Sequence, residues 1–229
     1  MSAEERLQEA VDALRAGTPV ILPTDTVYGL VASAEGPAPT ERLYALKGRD
    51  PGQPSALMTA DLETLLGCVP ELRGRSEAIA HALLPGPYTL ILSNPAHRYP
   101  WLTGSRPDAI GVRVPVLPPA AARAVRSVGA VAATSANAPG GPDPRSVEEI
   151  PEGLRERVGA VVDGGVLPGA PSTVLDFTAA EPRVLREGAA SSAEALALVA
   201  DALRERQYDP AGNPGEERSC PSPRRPFSI

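Results

Sequence analysis

The chain has 229 residues, of which 42% are apolar and 22% charged, enough to build the core of one medium-sized α/β domain, alone or with an appendage. Its net charge of −6 argues against broad, nonspecific polyanion binding, which relies on clustered Lys and Arg. Two cysteines, Cys68 and Cys220, give neither a disulfide framework nor a metal-ligand spacing, so a reducing, cytoplasmic setting is expected.

The N-terminus opens on a charged helix pattern rather than a secretory leader. Ser2-Ala3-Glu4-Glu5 is a capping box, followed by Leu7, Ala10, Val11 and Leu14 at helical spacing and by Gly17 as a stop. VILPTDTVYGLV (20–31) is β-branched and apolar at both ends, and predicts a strand interrupted by a polar PTDT loop and then continuing. Thr40 is placed to cap a short helix, ERLYALK, that stops at Gly48. GRDPGQP is a loop and SALMTA (55–60) a strand. Helices are expected over 61–67 and 74–84, then a strand at YTLILS (88–93). A polar stretch holding Trp101 leads to a strand at AIGVRVPV (109–116), a helix over 118–128 and a buried strand in GAVAATSAN (129–137).

Val147, Ile150, Leu154 and Val158 mark a further helix, interrupted at Pro151. AVVDGG, STVLDF and RVLREG predict three short strands, and a second capping box, Ser191-Ser192-Ala193-Glu194, opens a helix to about Arg206. The pattern predicts a domain over 1–206 and a disordered tail over 207–229, dense in Pro, Gly, Ser and charge. Strands and helices interleave without strict alternation, which points to an α/β mixed sheet with helices on its faces. No apolar run approaches the roughly 20 residues that a bilayer span needs, so no membrane contact is expected.

Signatures of phosphate loops, dinucleotide folds, serine-hydrolase elbows and zinc proteases are all absent. His81 and His97 suit surface or packing roles better than catalysis, and Cys68 suits an apolar filler. What remains are polar residues at the ends of apolar strands, where ligands of open α/β sheets sit. PTDT interrupts the first strand. Arg113 stands inside AIGVRVPV, where a guanidinium is costly unless it meets an anion, either within the fold or on a ligand. TSAN ends a buried strand, PST precedes VLDF, and Arg186 closes VLREG.

Lys47 is the only lysine in the chain, against 21 arginines, and sits at a helix end where it complements the dipole. Each feature has an ordinary structural role open to it. Together, hydroxyls and cations at several strand ends, without acid–base machinery, suggest a groove for an anionic substrate such as a nucleotide.

PTDTVYGL, KGRD…QP, LLPGPYTLIL, GVRVP, TSAN and PSTVLDF…VLREG, in this order and spacing over roughly residues 5–190, resemble the YrdC-like threonylcarbamoyl-AMP synthases. The family's combination of K-x-R and S-x-N is present as Lys47-Gly48-Arg49 and Ser135-Ala136-Asn137. The resemblance implies a twisted mixed, largely parallel sheet with flanking helices around a deep basic groove.

It also implies L-threonylcarbamoyladenylate synthesis, a nucleotidyl transfer that makes threonylcarbamoyl-AMP and pyrophosphate from L-threonine, bicarbonate or CO₂, and ATP. Mg²⁺ would be bound through the phosphates. A partner complex would then move the threonylcarbamoyl group to tRNAs reading ANN codons. By motif, Thr26, Arg113 and Ser172 would hold threonine, and Arg49, Gln53, Ser135, Asn137 and Arg186 the nucleotide, with Lys47 on its phosphates. Lys47 and Arg49 would be the catalytic pair.

Two departures stand out: Ala109 replaces a Thr common in relatives, and PSALM replaces a more apolar segment. The resemblance implies the short, single-domain form, because too few residues follow Arg206 for a second domain. Two other readings remain, an RNA-binding module of the same fold, with tRNA contact, and a carbamoyl-transfer domain serving another acceptor.

Overall fold

The computed structural model describes residues 2–50 and 52–208. Ser2 accepts the Glu5 N–H at 3.2 Å while Glu5 accepts the Ser2 N–H at 2.6 Å, the reciprocal cap that starts helix α1, Ala3–Arg15. Leu7, Ala10, Val11 and Leu14 form its buried stripe. Strands β1 (Val20–Pro23) and β2 (Tyr28–Ser33) follow.

They pair antiparallel, Val20 opposite Val31, so the expected continuing strand is a hairpin instead. The PTDT segment reverses the chain because the Thr24 hydroxyl accepts the N–H groups of Thr26 and Val27 at 3.2 and 3.3 Å and donates to the Val27 carbonyl at 2.7 Å.

Helix α2 (Pro37–Lys47) starts three residues before Thr40, at a proline whose missing N–H costs nothing in a first turn. It ends at Gly48 with φ of +62°, a left-handed cap that suits glycine. Then come β3 (Ala56–Thr59), α3 (Leu62–Cys68), α4 (Arg75–Leu83) and β4 (Tyr88–Ser93). Asp61 caps α3 by accepting the Thr64 N–H at 2.9 Å. A short turn of helix, α5 (Pro100–Thr103), occupies the polar stretch around Trp101.

Strand β5 (Ala109–Arg113), helix α6 (Pro119–Arg126) and strand β6 (Ala130–Ser135) match their expected places, β5 stopping short where Pro115 has no N–H to donate. The helix expected across 147–158 shrinks to α7 (Glu152–Arg155), beginning after Pro151. AVVDGG makes only one bridge, Val161 to Ile21, rather than a strand. Strands β7 (Thr173–Asp176) and β8 (Arg183–Arg186) precede α8 (Ser192–Tyr208). Residues 207 and 208, expected in the tail, are therefore helical, and the rest of the expected disordered tail lies outside the described residues.

The eight strands form one sheet in the order β1-β2-β6-β3-β5-β4-β7-β8. The mixed sheet with flanking helices is as expected. The balance of directions is corrected: only β3 with β5 and β4 with β7 pair parallel, and the other five neighbours pair antiparallel. Alternation along each strand divides the residues between two faces.

Leu30, Leu57, Leu90, Ile110, Val112 and Leu175 point to one face, where α2, α3, α4 and α8 close the main core. On the other face α1 and α6 cover only one end of the sheet, burying Val20, Leu22, Val31, Met58 and Val131 with Leu14 and Val125. The rest of that face is open, and the groove lies there.

Candidate functional site: a cationic groove on the open sheet face

Small side chains make the groove floor. Ala133, Ala56 and Gly111 lie side by side on β6, β3 and β5, with Gly29 and Ala109 nearby. A Cβ built on Gly111 would meet nothing nearer than 3.8 Å, so packing does not demand glycine there. Its absence of a side chain keeps the space above the sheet empty. Two adjoining cavities result, each about 350 Å³, which share Arg49, Thr134, Ser135, Asp143 and Arg186 in their walls.

One lies over the floor and adds Arg106, Arg113, Thr89 and Ser172; the other lies at its rim and adds Lys47, Gln53 and Asn137. Among the described residues, Asp143 is the only carboxylate in either wall, against one lysine and four arginines. A basic groove therefore exists within a chain of net charge −6.

Lys47 ends α2 and is buried, its ammonium donating to the carbonyls of Ser135 and Asn137 at 2.7 and 2.6 Å and to the Asn137 side-chain oxygen. That same Asn137 oxygen accepts the Ser135 hydroxyl at 2.7 Å, and the Asn137 amide donates to Gly141 at 2.6 Å. K-x-R and S-x-N are thus one hydrogen-bonded unit. Burial, then the neighbouring Arg49 charge, lower the Lys47 pKa to about 8, with Asp143 pulling the other way. The turn at Gly48 sends Arg49 across the groove, where it donates to the Pro54 carbonyl at 2.5 Å and to Thr134 at 3.5 Å; its buried Nε has no partner.

Arg113 closes β5 and is held from the PTDT turn. Its Nη2 donates to Asp25 at 2.6 Å and Thr26 at 2.6 Å, with Thr24 at 3.4 Å. Burial disfavours the Arg113 charge and Asp25 favours it, with the nearby Arg186 again opposing. Ser172, buried before β7, shares a 2.8 Å hydrogen bond with Thr89, and Arg186 from β8 donates to the Ser172 carbonyl at 2.8 Å and to its hydroxyl at 3.2 Å.

Of the residues singled out in the sequence, Lys47, Arg49, Gln53, Arg113, Ser135, Asn137, Ser172 and Arg186 all line one cavity or the other. Thr26 does not; it is fully buried behind Arg113. Sequence reasoning passed over Arg106, Thr89 and Asp143, and did not single out Asp25 within the PTDT segment. Alternation was a usable signal for Thr89, which falls on the same face as Ile91, Gly111 and Arg113. Arg106 and Asp143 sit in loops and carry no such periodicity.

The Sua5/YciO/YrdC family model, described as "Telomere recombination", matches residues 12–188. The chain belongs to that family. It is 31% identical to the threonylcarbamoyl-AMP synthase of Bacillus subtilis, an alignment covering 99% of this chain and 67% of the relative. The structure of Pyrococcus abyssi Sua5 complexed with L-threonine superposes with a TM-score of 0.77 at 30% identity, over 86% of this chain and 58% of the archaeal one. This chain thus spans less than two thirds of the archaeal protein. Escherichia coli YciO superposes with a TM-score of 0.72 at 30% identity, over 83% of this chain and 92% of YciO.

Proposed function

We propose that the chain is an L-threonylcarbamoyladenylate synthase, making threonylcarbamoyl-AMP and pyrophosphate from L-threonine, bicarbonate or CO₂, and ATP for tRNA threonylcarbamoyladenosine modification. The observation that carries the reading is the convergence of Lys47 and Arg49 from the end of α2, Arg113 from β5 and Arg186 from β8 on one groove whose walls, among the described residues, hold a single carboxylate. Further support comes from the relatives named threonylcarbamoyl-AMP synthase and from the archaeal relative's complex with L-threonine.

In this reading the amino acid lies over the sheet floor, its carboxylate facing Arg113, with Ser172 beside it and Thr26 behind the arginine. ATP lies toward the rim, its nucleotide held by Arg49, Gln53, Ser135, Asn137 and Arg186 and its phosphates by Lys47. The threonine nitrogen joins the bicarbonate carbon with loss of water, giving a carbamate. A carbamate oxygen then attacks the α-phosphorus in line, and the bond to pyrophosphate breaks. The chain's task is to orient two anions and offset their charge, which positioned cations do without a protein nucleophile.

Among the described residues no group of three His, Cys, Asp or Glu is placed to hold a metal ion. Mg²⁺ would enter as part of the nucleotide substrate, neutralising phosphate charge, and among the described residues Asp143 is the one carboxylate in the cavity walls that could meet it. The adenylate would pass to a partner complex acting on ANN-decoding tRNAs in the cytoplasm.

Following pyrophosphate release with ATP, Mg²⁺ and bicarbonate, with and without L-threonine, tests the reading. Release that requires threonine is expected. Release indifferent to threonine, or tight RNA binding without turnover, contradicts it.

A further inference from the structure

Arg113 cannot turn freely to meet a ligand. Its Nη2 carries two hydrogens, and both are engaged, by Asp25 and Thr26 at 2.6 Å each. Its Nε is buried without a partner, and no protein hydrogen bond uses Nη1 among the described residues. Asp25 is fixed in turn, because its second oxygen accepts the Val116 N–H at 3.2 Å, three residues beyond Arg113. One carboxylate therefore ties the hairpin turn between β1 and β2 both to the guanidinium and to the backbone that leaves β5. Both side chains of the pair are nearly enclosed, with relative exposures of 11% and 12%.

We propose that Asp25 is a positioning residue for the amino-acid substrate: it pins one end of the Arg113 guanidinium so that the donors left over meet the substrate carboxylate. The proposal rests on the synthase reading. Two features favour a clamp over a stand-in that the substrate must push aside. Asp25 is bound through both oxygens, and Arg113, being enclosed, needs its counter-ion before any ligand arrives.

The test measures KM for threonine and for ATP, and threonine binding by calorimetry, for the full chain and its Asp25→Asn and Asp25→Glu variants. Wild-type turnover that needs threonine is the precondition; without it the synthase reading fails, separately from this one. For Asp25→Asn the threonine KM and Kd rise about tenfold or more, and the ATP KM stays within about twofold, since only the carboxylate subsite loosens. Asp25→Glu, which restores the charge on a longer arm, recovers part of the loss.

A folding defect alone lowers the active fraction, and so the apparent kcat, without moving either KM. A threonine KM that is unchanged or lower in Asp25→Asn overturns the proposal, the lower value marking Asp25 as a stand-in. Should Asp25→Asn not fold, Asp25→Glu decides: a threonine KM raised about threefold with ATP unaffected supports the clamp, and an unmoved one overturns it.

Discussion

Lys47 is a buried ammonium whose pKa lies at about 8, against 10.5 for an ordinary lysine. The difference amounts to about 3 kcal/mol disfavouring the charged form, set mainly by burial and then by Arg49. At neutral pH the ammonium is nonetheless the main species, and it faces the rim cavity. If it holds the nucleotide phosphates, kcat/KM for ATP should be level below pH 8 and fall above it. One pH unit above the pKa about a tenth of the ammonium remains, so a drop of about tenfold is expected by pH 9.

Lys47→Arg carries a charge that does not titrate in this range, so its profile should lack that inflection. Its absolute kcat/KM should be lower, because a planar fork does not match three oxygens arranged around an ammonium. The assay is initial-rate pyrophosphate release from pH 6.5 to 9.5 for both proteins. A wild-type profile level through pH 9, or the same inflection in both proteins, refutes the assignment of Lys47 to phosphate.

The same shift has a stability consequence of opposite sense. Between pH 8 and 10.5 the unfolded chain binds the proton and the folded one does not, so Lys47 makes wild type more stable as pH rises through that window, relative to Lys47→Arg; urea unfolding at pH 7.5 and 10 checks this. Gly111→Val puts a side chain into open space over the floor, so it should leave the melting temperature within a few degrees while abolishing the stabilisation given by ATP and threonine; a variant that still responds to both ligands contradicts the floor's role.

Asp176 is almost fully buried: burial pushes its carboxyl up, but the Thr178 hydroxyl and N–H, Arg183 and Arg106 outweigh it and hold it well below the usual range. Asp176→Asn should cost about 1.5–3 kcal/mol at pH 7, since the arginines it leaves behind are partly exposed, a gap that shrinks as pH falls below the unfolded carboxyl's pKa near 3.8, and a gap independent of pH would count against the pairing.

Local chemistry made much of the fold legible. The Ser2–Glu5 cap and the Gly48 stop rest on contacts between near neighbours, and both stand where the residues place them, as does the YTLILS strand, although its pairing partners are distant in sequence. Strand direction was not legible, because β-branched runs look alike whichever way they pair; hence the hairpin at PTDT and the mainly antiparallel sheet. The helix across Pro151 and the strand in AVVDGG failed where one proline, and an edge position beside β1, outweighed periodicity.

For the site, residue types at strand ends found most of the groove wall. What they did not give was who holds whom. Asp25 and Arg113 are 88 residues apart, and Lys47 is held partly by main-chain carbonyls, which no side-chain pattern records. Thr26 illustrates the difference, since its motif places it at the site while the structure places it behind the arginine.

Identifying the product tests the central claim most directly. With ATP, Mg²⁺, L-threonine and isotopically labelled bicarbonate, mass spectrometry should find an adenylate that contains threonine and the labelled carbon, made in step with pyrophosphate and lost in Arg49→Ala. An adenylate that lacks the labelled carbon, or pyrophosphate release with no threonine-containing adenylate, would contradict it.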